Sequence, residues 1–195
     1  MSGAGAAGTA IARLLVLSGA TNIVAFDKDG VIHKATTGDE PMRRWFIENS
    51  NPTDFQGDIH QAMEGADVFI GVSAPNVLNE ADIVSMAQKS IVFALANPTP
   101  EIDPAIARKY ATVVATGRSD QPNQINNVLA FPGIFRGLLD AGATKISDEL
   151  LVAAADAIAD CVSESQLNAS FIVPSVFDPQ VVTKVAAAVK KTSQK

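Results

Sequence analysis

Apolar positions along this 195-residue chain follow two rhythms. The first is a short continuous run, seen at Ile23–Phe26, Val68–Val72, Ile91–Leu95 and Thr112–Thr116. Runs of this length, rich in β-branched residues and lacking a polar alternate face, suit strands buried on both sides, as in a parallel sheet. The second rhythm is helical. Ile11, Leu14 and Leu15 form one stripe, and Ile83, Val84 and Ala87 form another. Asp103 supplies a helix cap, with Pro104 at the favoured first helical position. Strands and helices alternating across short connections predict a doubly wound α/β sheet with helices on both faces.

The pattern changes near Asn127. From there to the end three helical segments follow without a strand. Ser147 caps one whose first turn carries Asp148 and Glu149, favourable at the positive end of a helix dipole, and whose apolar face runs Leu150, Ala154, Ile158, Cys161. Asp178 and Pro179 open the last, with Val181, Val182, Val185 and Val189 on one side and Lys190, Lys191 and Lys195 at its carbonyl end. This tail, about 127–195, is expected to cover a face or edge of the sheet within one domain spanning 1–195. Residues 28–57 give no clear period, only turn signals at Asp29-Gly30, Thr37-Gly38 and Asn51-Pro52.

The candidate chemistry begins at Gly3-Ala4-Gly5-Ala6-Ala7-Gly8, a GxGxxG run that opens a helix. Gly3 allows a tight turn, Gly5 lets backbone N–H groups approach a pyrophosphate, and Gly8 permits close helix–sheet packing. Asp27 ends the next strand, 22 residues after Gly5, where a carboxylate accepts hydrogen bonds from an adenosine ribose. Together these predict a Rossmann-like dinucleotide site. The alternative for Asp27 is a turn residue capping Asp29-Gly30. A carboxylate favours NAD over NADP, because it repels a 2′-phosphate, although the adjacent Lys28 could compensate. The fingerprint should follow a central strand, and only Met1 and Ser2 precede it. That first strand is expected to lie in a longer polypeptide or to come from a partner chain.

Charge and composition narrow the partners. Fifteen basic against 21 acidic side chains give a net charge of −6, with no basic stripe, which argues against nucleic acid and anionic membrane surfaces. A single cysteine cannot staple a secreted scaffold. The stretch from Leu14 to Phe26 is interrupted by Ser18, Gly19, Thr21 and Asn22, so no membrane span is expected, and no basic region precedes it as in an export signal. A cytoplasmic setting follows as the expectation.

Four further motifs carry a resemblance. They are Phe69-Ile70-Gly71-Val72-Ser73-Ala74-Pro75-Asn76, Phe93-Ala94-Leu95-Ala96-Asn97-Pro98-Thr99-Pro100-Glu101, Ala115-Thr116-Gly117-Arg118-Ser119-Asp120, and the stretch from Pro122-Asn123-Gln124-Ile125-Asn126-Asn127 to Gly137. With the glycine loop they closely resemble the NAD(P)-binding domain of bacterial-type malic enzymes, over nearly the whole chain. That family oxidises (S)-malate with NAD(P) and decarboxylates the product to pyruvate and CO2, using Mg2+ or Mn2+. The resemblance implies that the glycine loop holds the pyrophosphate and Asp27 the adenosine ribose, while Ser73 and Ala74 line the groove. It also implies that Asn97 lies near the nicotinamide and substrate, and that of Asn126 and Asn127 one faces the nicotinamide ribose and the other the malate. Asn97 follows a strand's carboxyl end, where ligands of open α/β sheets bind, although an isolated asparagine is ordinarily a turn or cap residue.

The family's Lys and Tyr acid–base pair and its acidic metal ligands lie ahead of the glycine loop, and no match to them occurs here. The resemblance therefore implies the cofactor half of an oxidoreductase, inactive alone, whose metal and catalytic groups belong to an amino-terminal portion or companion chain; a homo-oligomer is expected. Two alternatives stand beside it, a non-catalytic NAD-binding module and part of a malolactic enzyme. Arg118 is open between steering an anionic ligand and a loop salt bridge with Asp120; the other residues are assigned structural roles, Arg136 at an interface, His33 and His60 structural or exposed, Cys161 packed on its helix, and Tyr110 and Trp45 filling gaps in packing.

Overall fold

The structure, a computed structural model, describes residues 1–194. The chain divides into two compact units, the first Met1–Pro122 and the second from Asn123 onward. In the first, helix α1 (Ala6–Leu17) leads to a tight hairpin of β1 (Phe26–Asp27) and β2 (Gly30–Val31). Then come α2 (Pro41–Asn49), α3 (Ile59–Met63), β3 (Val68–Gly71), α4 (Glu80–Ser85), β4 (Ile91–Ala94), α5 (Pro104–Ala107) and β5 (Val113–Thr116). β3, β4 and β5 form a parallel ladder in which Phe69 lies beside Val92, and Val92 beside Val114. These three are buried together with Met63, Ile83 and Ala107 from α3, α4 and α5, so one face of the ladder is covered by the connecting helices. A separate cluster of Ala12, Ala25, Ile32 and Phe46 joins α1 and α2 to the hairpin.

The two residues ahead of the glycine loop take the central place expected of a first strand. Ser2 bridges in parallel to Phe26 on one side and to Gly71 on the other. Its N–H donates to the Ile70 carbonyl at 2.9 Å, its own carbonyl accepts from Val72, and the Phe26 N–H donates to the Met1 carbonyl. The expected strand Ile23–Phe26 forms a ladder only from Phe26, which is a correction to its boundaries. Its earlier residues stay extended, with Ile23 accepting from Asn51, Ala25 from Ile32, and Val24 from the Met1 amino group at 2.6 Å. A cavity of about 390 Å³ lies beside Met1, bounded by Leu15, Ile23, Val24, Val68 and Ile70.

Residues 28–57, unreadable by period, hold β2 and α2. The first is a two-residue strand, too short for any alternation to show. The second starts at Pro41 after Glu40 and buries Phe46. Several smaller expectations also change. Val84 is exposed and Met86 takes its place in the core. Tyr110 does not fill a gap: it is half-exposed, and its hydroxyl donates to Glu80 at 2.6 Å. His60 is structural, its ring bonded to the buried Asp82 at 2.9 Å.

The second unit contains a 3-10 turn, Asn127–Leu129, followed by α6 (Phe131–Ala141), α7 (Asp148–Ala159) and α8 (Pro179–Ser193). Ser147 and Asp178 cap α7 and α8 as expected. Gly133 and Gly137, one helical turn apart, let α6 lie directly on α8, since a Cβ on either would fall within 2.7 Å of Val185 or Val189. Leu150, Ala154, Val181, Val185 and Val189 are buried in this core, with Ile158 and Cys161 packed against it. Val182 faces outward instead. Burial pushes the Cys161 thiol up. Arg136 pairs within its own helix, with Asp140 at 3.0 Å. Lys190 and Lys191 lie in the last turn of α8, while Lys195 is outside the described residues. No helix is long and apolar enough to cross a membrane among the described residues.

The Met1 amino group yields a pH prediction. Burial in the sheet lowers its pKa to about 5 from the usual 8. Between those values the unfolded chain holds a proton that the folded chain does not, so stability rises with pH across that window. For a chain starting at Met1, the unfolding free energy from urea titrations should increase from pH 5.5 to 8.5, by about 3 kcal/mol at most. Nα-acetylation should flatten the curve; a slope equal in both forms would contradict the assignment.

Candidate functional site

The glycine loop is shaped by contacts that leave no room for side chains. A Cβ at Gly3, whose φ is +103°, would lie 2.6 Å from the Val72 carbonyl oxygen, and one at Gly8 only 1.8 Å from the Gly3 carbonyl oxygen. The loop is thereby pressed between β3 and α1. Gly5 differs: it is the N-cap of α1, makes no side-chain cap, and a Cβ there would meet nothing within 4 Å. The open space beside it belongs to a cleft of about 930 Å³ whose walls include Gly3, Ala4, Gly5, Asp27, Ser73 and Ala74. The N-cap Gly5 lines that cleft, and the first N–H groups of α1, which a helix leaves unpaired internally, follow directly after it. Ala6, Ala7 and Gly8 form the first turn of α1, with Gly8 buried. A helix start without a side-chain cap, beside open volume that a Cβ would enter, fits a pyrophosphate.

Asp27 sits on the cleft wall at the end of β1. It also does what a turn residue does, since its Oδ1 accepts from the Asp29 N–H at 2.8 Å. Its Oδ2 accepts from the Arg43 guanidinium, which also reaches Asp29 at 2.6 Å. Arg43, with Lys28 behind it, holds the Asp29 carboxyl below the usual carboxylate range. Arg43 has no counterpart among the sequence expectations because it lies in the stretch without a period.

Across the cleft, Ser73 follows β3. Its hydroxyl lies 2.7 Å from that of Ser2, and its N–H donates to Glu101 at 2.9 Å. Glu101 is fully buried. Its second oxygen accepts from the Ala96 N–H at 3.0 Å, so one carboxylate ties the loop after β3 to the loop after β4. Gly71 makes space for it, as a Cβ there would fall 2.3 Å from the carboxyl carbon. Sequence reasoning passed over Glu101; the signal was Gly71, since a glycine inside a strand marks a close approach.

Asn97 follows β4 and Ala96, is exposed, and precedes a cis peptide to Pro98. Its amide rests against Gly117 beyond β5, 3.2 Å from where a Cβ would be. Asn126 and Asn127 belong to the second unit. Asn126 spends its side chain as a cap, accepting from the Val128 N–H at 3.0 Å, whereas Asn127 is exposed. Of the two readings of Arg118, the structure shows the loop salt bridge, two bonds to Asp120 at 2.8 and 2.6 Å. Among the described residues no cluster of three or more His, Cys, Asp or Glu side chains is arranged to hold a metal ion.

Comparison with known proteins gives a consistent result. The family model "Malic enzyme, NAD binding domain" matches residues 1–194, across both units. The chain is 50% identical over 189 residues to an NAD-dependent malic enzyme of Geobacillus stearothermophilus, covering 97% of this chain and 40% of that protein. It is 47% identical to a bifunctional malic/malolactic enzyme of Bacillus subtilis, covering 98% of this chain and 47% of the relative. NADP-dependent malic enzymes match too, that of Salmonella typhimurium at 40% identity over 99% of this chain and 28% of the relative. The crystal structure of the NAD-dependent malic enzyme of Thermotoga maritima superposes with a TM-score of 0.90 at 43% identity, covering 97% of this chain and 50% of that one. The chain thus spans half or less of the length of these proteins.

The packing separates two kinds of glycine and makes Glu101 the tie between two strand-end loops. G8A should destabilise the chain by about 3 kcal/mol or more, through steric overlap with backbone. G5A should lower the melting temperature far less than G8A, by the modest cost of a poorer N-cap, while weakening NADH binding about tenfold or more, because the added Cβ enters open space at the cleft. E101Q puts an amide N–H where a backbone N–H now donates and should cost about 1–3 kcal/mol. Thermal melts and NADH fluorescence titrations check all three. Equal destabilisation by G5A and G8A would refute the loop assignment.

Proposed function

The chain belongs to the malic enzyme NAD-binding domain family, and from that premise we propose that it is the dinucleotide-binding part of an enzyme that oxidatively decarboxylates (S)-malate to pyruvate and CO2. The observation that carries this reading is the cleft at Gly3–Gly8, with an uncapped helix start on one side and a strand-end carboxylate on the other. A bound nicotinamide dinucleotide would supply hydride acceptance. Gly3, Ala4, Gly5, Ala6, Ala7 and Gly8 would bind its pyrophosphate through backbone N–H groups. Asp27 would accept from the adenosine ribose hydroxyls, and Ser73 and Ala74 would wall the groove, their loop fixed by Glu101.

Asn97, Asn126 and Asn127 complete the assignment. Asn97 and Asn127 would donate to the substrate, and Asn97 and Asn126 to the nicotinamide end. Neutral amides serve there because they orient an anion and its hydroxyl without adding a charge that opposes hydride loss. Proton transfer to and from the substrate, and the Mg2+ or Mn2+ ion that polarises its carbonyl oxygen, fall in this reading to a portion outside this chain. The relatives are about twice as long or longer, which accords with such a portion. We place the working protein in the cytoplasm as a homo-oligomer. The Bacillus subtilis relative's name favours one further possibility, a malolactic outcome.

Fluorescence titration should show NADH binding by this chain, and the chain with NAD, Mn2+ and malate should show no turnover until a relative's amino-terminal portion is added. Pyruvate from that mixture identifies malic activity, and lactate the malolactic one. Binding without turnover in the completed protein would leave the non-catalytic module as the function. Turnover by the chain alone would contradict the division of labour.

A further inference from the structure

Resting on the reading of the cleft as a dinucleotide site, we propose that Glu101 sets which redox form of the cofactor the cleft favours, its fixed negative charge holding the oxidised, cationic nicotinamide more tightly than the reduced, neutral one. The strand order says where that ring goes. Ser2, which leads into the glycine loop, stands between Phe26 on one side and Gly71 on the other, and β3 is followed in the ladder by β4. A pyrophosphate on the start of α1 therefore sits at the middle of the carboxyl edge. The adenosine half runs toward Asp27, and the nicotinamide half runs the opposite way, over the loops that follow β3 and β4. Those are the two loops that Glu101 joins. Its Oε1 accepts from the Ser73 N–H at 2.9 Å, and its Oε2 accepts from the Ala96 N–H at 3.0 Å, one residue before Asn97.

The carboxylate is held in place and poorly screened. It is fully buried, and its carboxyl carbon lies 2.3 Å from the Cβ position of Gly71, so it rests directly on β3. The groups bonded to its oxygens, two backbone N–H groups and the Ser73 hydroxyl, are all neutral. A neutral acceptor would tie the same N–H groups at a smaller desolvation cost. What the carboxylate adds is one net negative charge beneath the nicotinamide loops. At the next strand end, Arg118 and Asp120 bond to each other and add no net charge. The oxidised dinucleotide carries a positive charge on its ring that the reduced one lacks, and the two are otherwise alike. A buried charge several ångströms from that ring, in a medium of low effective dielectric, favours the oxidised form by about tenfold. In the proposed reaction Glu101 thus assists entry of the form that is consumed and departure of the form that is made.

Isothermal titration calorimetry with NAD+, NADH and ADP-ribose, which lacks the ring, tests this on the chain and its variants, with far-UV circular dichroism as the folding check. E101Q should lower the ratio of NAD+ to NADH affinity about tenfold, while the ratio of ADP-ribose to NADH affinity stays within about twofold. E101D keeps the charge and should keep the NAD+ to NADH ratio near the wild-type value, whatever it costs in affinity for all three ligands. A merely structural role would weaken the three together and leave both ratios unmoved in E101Q, which overturns the proposal. An E101D ratio that falls as far as that of E101Q overturns it too. Should E101Q not fold, E101M, neutral and of similar length, takes its place; failure of both to fold makes Glu101 a structural residue only and also overturns the proposal. Wild-type chain that binds none of the three ligands defeats the dinucleotide reading itself, whereas binding with unmoved ratios defeats only the role of Glu101.

Discussion

Backbone meets backbone where the central Met1–Ser2 segment turns into α1, and no side chain can be inserted there. Gly8 lies over the Gly3 carbonyl and Gly3 over the Val72 carbonyl, each closer than any Cβ would allow. This contact fixes the start of α1 at the carboxyl edge of the parallel strands. Thr9 then anchors the first turn by donating to the Gly5 carbonyl at 2.9 Å. Ser2, held between Phe26 and Gly71, brings its hydroxyl to Ser73 and so links the loop floor to the opposite wall. A helix start facing open volume is the product of that packing.

The cleft's two walls are stabilised by different physics. On one side a buried carboxylate, Glu101, accepts from two backbone N–H groups on successive strand-end loops; burial makes such bonds costly to lose. On the other side, partly exposed charges at Asp27, Asp29, Lys28 and Arg43 form a network that can exchange partners.

Much of this was legible in the sequence where local rules and tertiary packing agree. The three parallel strands, the caps of α5, α7 and α8, and the glycine loop all announce themselves through short-range patterns. The hairpin strand Gly30–Val31 and helix α2 did not, because two residues carry no period and a nine-residue helix with one buried side chain carries little. Ile23–Phe26 looked like a full strand because apolarity reports burial, whereas a ladder also needs a neighbour. Glu101 was hidden for a different reason: its partner is a glycine thirty positions back in sequence, and nothing around it hints at burial. Asn126 appears as a cap and Asn127 as an exposed residue, so the reading of these amides rests on motif likeness rather than on their contacts.

The claim on which all else turns is that a dinucleotide lies along the cleft with its pyrophosphate on the start of α1. Backbone amide resonances recorded while NADH is added to labelled chain test it most directly. Shifts should be largest at Gly3–Gly8, Asp27, Ser73 and Ala74, and negligible along α7. Saturable shifts centred elsewhere, with the Gly3–Gly8 amides unmoved, would contradict it.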